Sequence, residues 1–132
     1  MSAEVAVRAA IFAALRSDAA LMALVHGVHD GAPGRAATPH AYVGECLGAD
    51  WGGKDVEGRE LRLTIGLAVA EETPARLAAM IARVDPAIGA AGMADGWRIV
   101  SARLLRSRVA REGGGAPGWR AVVDYRVRAV RE

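Results

Sequence analysis

Gly48-Ala-Asp-Trp-Gly-Gly-Lys54-Asp55 fits the spacing G-x-x-x-x-G-K, in which glycine amides cradle phosphates and the lysine reaches them. It follows an expected strand, as a phosphate loop does. Position 55 is Asp where Ser or Thr would ligate magnesium, which sets a negative charge beside the phosphates. An expected strand also follows, so no helix N-terminus is aimed at the anion. The segment therefore reads as a solvent loop with turn glycines. His26, His29 and His40, with Asp30, Glu45 and Cys46, are metal-ligating types. None shows the i, i+4 pairing on a helix that zinc hydrolases use, and H-E-x-x-H is absent. Cys46 falls inside an expected strand, where a small buried thiol is the plainer reading than an activated nucleophile. Glu71-Glu72 are adjacent and point to different sides; they favour the N-terminus of the following helix through its dipole. No G-x-S-x-G occurs, and the four serines fall at helix caps or in an arginine-rich strand. No catalytic constellation, metal site or cofactor is expected.

Charge is distributed unevenly. The chain has 17 basic and 15 acidic residues, a net +2. From Trp97 onward nine arginines face Glu112, Asp124 and Glu132, a local +6, while the remainder carries −4. Such a face makes phosphate contact inexpensive. Reading or stacking bases would want aromatics among the arginines. The aromatics there, Trp97, Trp119 and Tyr125, share the parity of the apolar residues and are expected in the core. The alternative is a solvated or subunit-contacting face. Sixteen of the 17 basic residues are Arg, beside Lys54, which also fits a coding bias.

The elements that position these residues follow from periodicity. Ser2 caps a helix over about residues 3–16, with Val5, Ala9, Phe12 and Leu15 as its apolar stripe. Ser17 and Asp18 offer a second cap, and 19–25 reads as a short helix. Residues 26–39 form a loop, with a brief extended piece near Val28. A strand spans 40–47, a loop 48–58, and the clearest strand 59–70. There Leu61, Leu63, Ile65, Leu67 and Val69 share one face. Thr73-Pro74 starts a helix whose stripe is Leu77, Met80, Ile81, Val84 and Ile88, ended or kinked by Pro86. Residues 89–96 form a turn. A long strand over 97–111 changes phase midway, which implies a bulge near 101–105. A glycine hairpin over 113–118 leads to a last strand over 119–130. The expected fold is α+β: an antiparallel sheet with helices packed on one face, a two-layer sandwich with its arginine face outward.

Size and composition agree. The 132 residues suit one domain, 1–132, and 52% hydrophobic with 24% charged residues is globular usage. One cysteine excludes an internal disulfide. No stretch approaches the ~18 apolar residues of a membrane span. Residues 9–15, flanked by Glu4, Arg16 and Asp18 without a cleavage site, do not read as a signal peptide. Use in a reducing cytoplasm, or release within a larger particle, is expected.

Ala10-Ile-Phe-Ala-Ala-Leu-Arg-Ser-Asp-Ala-Ala-Leu-Met-Ala-Leu-Val25 resembles the opening helices of the tail-completion or tail terminator proteins of long-tailed phages and of gene transfer agents. His29-Asp-Gly-Ala-Pro33 and Pro39-His-Ala-Tyr-Val-Gly-Glu45 are similar to that family's Asp-x-x-Pro turn and Pro-Tyr-Val-x-x-Gly-Glu strand. Asp50-Trp-Gly-Gly-Lys-Asp55 resembles its polar loop before an Arg–Glu–Leu-rich strand, here Arg59-Glu-Leu-Arg-Leu63. The likeness covers nearly the whole chain by order of elements. Val69-Ala-Glu-Glu72 departs from the family's Trp-Ser-Arg-type strand end, and 113–118 lacks its Asp-Pro-Asp-Gly turn. The resemblance implies a non-enzymatic virion protein: a homohexameric ring that caps the head-proximal end of the tail tube and stops its growth. Its partners would be itself, the tail tube protein and the head-side stopper or connector, with DNA passing only as cargo and no membrane. It would assemble in the host cytoplasm. The interface residues expected on this reading are Trp51, Lys54, Asp55, Arg59, Arg106, Arg108, Arg126 and Arg128. A nucleic-acid-binding domain using the arginine face, or a small metal- or thiol-dependent enzyme, are the competing readings.

Overall fold

Leu61, Leu63, Ile65, Leu67 and Val69 are all buried along one strand, as their spacing of two requires. The computed structural model describes residues 2–132 and orders the chain as α1 (Ala3–Ser17), α2 (Ala19–Met22), β1 (Gly27–Asp30), β2 (His40–Asp50), β3 (Gly58–Val69), α3 (Ala75–Gly89), β4 (Met93–Ala94), β5 (Trp97–Arg111) and β6 (Trp119–Arg131). The strands form one six-stranded sheet in the order β1-β2-β3-β6-β5-β4. The class is α+β. The sheet is mixed, not wholly antiparallel as the sequence suggested: β1 runs parallel to β2. The 31–39 loop carries the chain back across the sheet end, so β2 restarts in the same direction as β1.

The core lies between one sheet face and the helices. Ala121, Val123, Tyr125, Val127 and Ala129 of β6 continue the buried face of β3. Leu77, Met80, Val84, Ala87 and Ile88 of α3 close over it. Each fully buried Leu or Val contributes about 1.5–3 kcal/mol relative to exposure.

Several local expectations needed correction. In α1 the buried face is Ala3, Ala6, Val7, Ile11 and Leu15; Val5 and Ala9 are exposed and Phe12 is half-buried under the Arg16 guanidinium. The helix is apolar around most of its circumference, so close approach to the sheet, which alanines permit, chose the face. The second helix ends at Met22, not Val25. Pro74, not Thr73, occupies the cap position of α3, without a side-chain cap, and its carbonyl accepts from Ala78 at 2.9 Å. Pro86 does not end α3, which carries it inside the helix and runs on to Gly89. Both Pro86 and Ala82, whose carbonyl loses its donor, are exposed, so the missing bond falls on the solvent side of the helix. The 89–96 segment contains β4, joined to β5 by Asp95-Gly96 with φ values of 48° and 84°. These are the two positive-φ positions of a tight hairpin, for which Asp-Gly is the usual pair.

Guanidinium–carboxylate pairs tie the margins. Glu4 accepts from Arg59 at 2.7 Å, Asp18 from Arg83 at 2.8 Å, Glu60 from Arg128 at 3.0 Å and Asp124 from Arg106 at 2.8 Å. In each case the arginine hydrogen bond outweighs partial burial and holds the carboxyl below its ordinary range. The unfolded chain then binds more protons in acid than the folded one, so this stability is complete only above the unfolded values, from about pH 5 upward. It is lost as pH falls through the lowered values. The thermal midpoint is expected to drop between pH 6 and pH 3 at low salt; a flat profile would contradict these pairs.

Candidate functional site

The face of the sheet away from the helices carries the arginines in register. Across β3, β6 and β5, one row reads Glu60–Arg128–Ser101, the next Arg62–Arg126–Arg103 and the next Thr64–Asp124–Arg106. Arg108 follows opposite Val122. Two register shifts in β5, between Ile99 and Ser101 and between Leu104 and Arg106, put Arg98, Arg103, Arg106 and Arg108 on one face despite their mixed parity. The suspected bulge region is thus real and doubled. The middle row sets three like charges directly opposite one another, which is unfavourable by itself. Glu60 and Asp124 flank that row and offset part of it. The Arg126 Nε is buried without a hydrogen-bond partner among the described residues. A shallow groove of about 380 Å³ lies on this face, floored by Arg62, Thr64 and Asp124 and rimmed by Leu47 on one side and Leu105 on the other.

The expected interface residues are placed as follows. Arg106, Arg108, Arg126 and Arg128 share this face. Trp51 is 38% exposed and stacks under the Arg128 guanidinium, 5.0 Å from its ring centre. It is both a lid against Gly58 and a partly open ring. Lys54 and Asp55 sit exposed at the loop tip, away from the arginine row in sequence register. Arg59 is committed to Glu4 and fastens α1 to β3. Sequence reasoning missed Glu60 and Asp124 as the counter-charges, because their pairing is set by cross-strand register.

The G-x-x-x-x-G-K segment is built otherwise than a phosphate loop. Gly48–Asp50 are the last residues of β2, which outruns its expected end at Leu47. The Trp51 N–H donates to the Gly58 carbonyl at 3.1 Å and the Gly53 N–H to the Val56 carbonyl at 2.9 Å. A Cβ on Gly52 would fall 2.4 Å from the Val56 oxygen, so this hairpin needs glycine there. His29 and His40 meet edge to face at 5.6 Å, and burial followed by the His29 charge lowers the His40 pKa. Among the described residues no three His, Cys, Asp or Glu side chains converge as a metal set. Burial, then the Glu4 charge, pushes the Cys46 thiol up to about 11. Alkylation of Cys46 by iodoacetamide at pH 7.5 is expected to be much slower than in the urea-unfolded chain; equal rates would overturn that placement. Glu71 pairs with Arg76 at 2.8 Å, and the Glu72 carbonyl accepts from the Trp119 indole at 3.0 Å. Trp97 and Tyr125 are buried as their parity required, whereas Trp119, expected with them, is only half-buried; the Tyr125 hydroxyl donates to Asp85 at 3.0 Å.

Among the described residues no hydrogen bond joins a serine or cysteine nucleophile to a histidine or carboxylate base. What it offers is an ordered cationic face and glycine-rich loops. The sequence matches the family described as Tail completion protein gp17 over residues 9–129. The chain belongs to the tail completion protein family. This tail completion protein is also similar in structure to a chain of the virion of a native gene transfer agent (GTA) particle. The TM-score is 0.82 at 29% identity, over 98% of this chain and 99% of that one. A search of curated proteins finds no match. Tail completion proteins are structural parts of phage tails, so the arginine face belongs to a structural tail protein of a virion.

Proposed function

We propose that the whole chain, 1–132, acts as one tail terminator unit: copies form a ring, a homohexamer, that caps the head-proximal end of the tail tube. The ring stops tube polymerisation and presents a surface to the head-side connector, with DNA passing through as cargo. The observation that carries this reading is the end-to-end likeness to a chain of a GTA virion, within a tail completion family. The fold suits the task. Free strand margins and short glycine loops let a subunit join neighbours without an enclosed active site. Trp51, Lys54, Asp55, Arg59, Arg106, Arg108, Arg126 and Arg128 are the proposed contact residues, Arg59 through its hold on α1. Trp51 would be the anchor, a partly open aromatic ring in a loop.

Electron microscopy of particles lacking the gene tests the reading. Overlong or headless tails are expected, and normally joined particles would overturn it. The Arg62–Arg126–Arg103 row favours a second reading, direct binding of nucleic acid. That reading requires salt-sensitive retention on DNA at physiological ionic strength, and a chain that flows through would exclude it.

A further inference from the structure

The outer strands leave most of both sheet margins uncovered. β1 pairs with β2 over His40–Val43, and β4 pairs with β5 over Trp97 and Arg98. Beyond these, β2 from Gly44 to Asp50 and β5 from Val100 to Arg111 have no strand on their outer side among the described residues. Long open edges are a liability unless another chain covers them.

All of the exposed large apolar side chains except Val5 fall on these same two margins. Val100, Leu104, Leu105 and Val109 lie on β5, and Met93 lies on the β4 that abuts it. Leu47, Trp51 and Val56 lie on β2 and its loop, and Val5 lies on the α1 turn whose Glu4 grips Arg59. Charge divides in the same way. β5 carries Arg98, Arg103, Arg106, Arg108 and Arg111 and no acid. Residues 44–57 carry Glu45, Asp50, Asp55 and Glu57 against Lys54. None of those four acids has an ion pair among the described residues, and Arg103 has none either.

We infer that the two margins bind each other between copies: the basic, apolar β5 margin of one chain docks on the acidic, apolar 44–57 margin of the next. The occupant is a second copy because each margin supplies what the other lacks, in charge and in apolar surface. Different patches meet, so the contact is head-to-tail, and such contacts close into rings when the rotation allows. This rests on the ring reading above and names its subunit interface. Trp51 and Val56 supply the apolar centre on one side and Leu104 and Val109 on the other. Glu45 and Glu57 face Arg103 and Arg108, which lie on the opposite face of β5 from Leu104 and Val109, and there complementary charge sets partner and register.

The test uses intact particles from the organism that encodes the chain, in a Cys46→Ala background. Val56→Cys and Val109→Cys are introduced together and singly, and a short bis-maleimide is added. The doubly substituted chain is expected to give a ladder beyond dimer, and each single substitution none. Dimers from a single substitution would show a two-fold contact and overturn the inference. So would particles that hold the chain in normal amount but give no ladder, or cross-links from these positions to other polypeptides. Those outcomes leave the tail role standing, whereas absence of the chain from the particles would refute the tail role itself. A second arm reverses charge. Arg103→Glu with Arg108→Glu is expected to cut incorporation about tenfold or more. Adding Glu45→Arg and Glu57→Arg to the same chain is expected to restore it. Unchanged incorporation on the first reversal, or no recovery on the second, would overturn the charge match.

Discussion

Ile11→Ala is expected to lower stability by about 2–5 kcal/mol, a large share of the roughly 5–15 kcal/mol that holds a domain together. Ile11 is fully buried in α1, and α1 packs against β1, β2, β4, α2 and α3. Truncation there opens a void where sheet and helices meet, and the surrounding strands are too tightly paired to collapse into it. Urea unfolding of the purified chain measures the effect. Val5→Ala, one of the residues the sequence put on the inner stripe, is exposed and is expected to change stability by less than about 0.5 kcal/mol. Equal losses for the two would mean that α1 is rotated from the arrangement described.

Asp124→Asn is expected to cost about 1.5–3 kcal/mol, the range for hydrogen bonds to charged groups. Asp124 accepts from the Thr64 hydroxyl and the Arg106 guanidinium, each at 2.8 Å, and lies one row from Arg126. Without its charge, Arg62, Arg103, Arg106, Arg108 and Arg126 share a face with Glu60 as the remaining acid in those rows. Part of the loss is repulsion between exposed arginines, so raising ionic strength from 0.05 to 0.5 M is expected to recover some of it, the screening length falling below about 10 Å. Chemical unfolding at the two salt concentrations decides this. A loss that is the same at both would assign the whole effect to the lost hydrogen bonds.

The resemblance to tail completion proteins was carried by residues that the structure puts to structural use. Asp30, in the family-like turn, pairs with Arg8, whose Nε also donates to the Gly44 carbonyl at 2.8 Å within the family-like strand. Gly52 in the polar loop is required by the hairpin it makes. Turn chemistry of this kind is local, and local chemistry is legible along a chain. The Asp95-Gly96 pair is an equally local hairpin signal, and it makes a strand, β4, out of a segment whose glycines by themselves suggest a turn. The arginine face was visible as parity in β6, but in β5 the parity breaks twice, and the sequence does not say on which side the chain resumes.

What the sequence by itself determined is periodic or local: the inward faces of β3 and β6, the α3 stripe, the existence of a helix at each expected place, and a net cationic C-terminal third. Alternation of two and recurrence near 3.6 fix which side of an isolated element is apolar, whatever it packs on. Tertiary structure decided the rest. It turned α1 onto Ala3, Ala6, Val7 and Ile11, because an alanine-rich helix has no single oily side until a sheet presses against it. It set β1 parallel to β2, and it aligned Arg62, Arg126 and Arg103 in one row with Glu60 and Asp124 beside them. Register between strands distant in sequence depends on backbone pairing and bulges summed over the whole sheet, and no single segment carries that information.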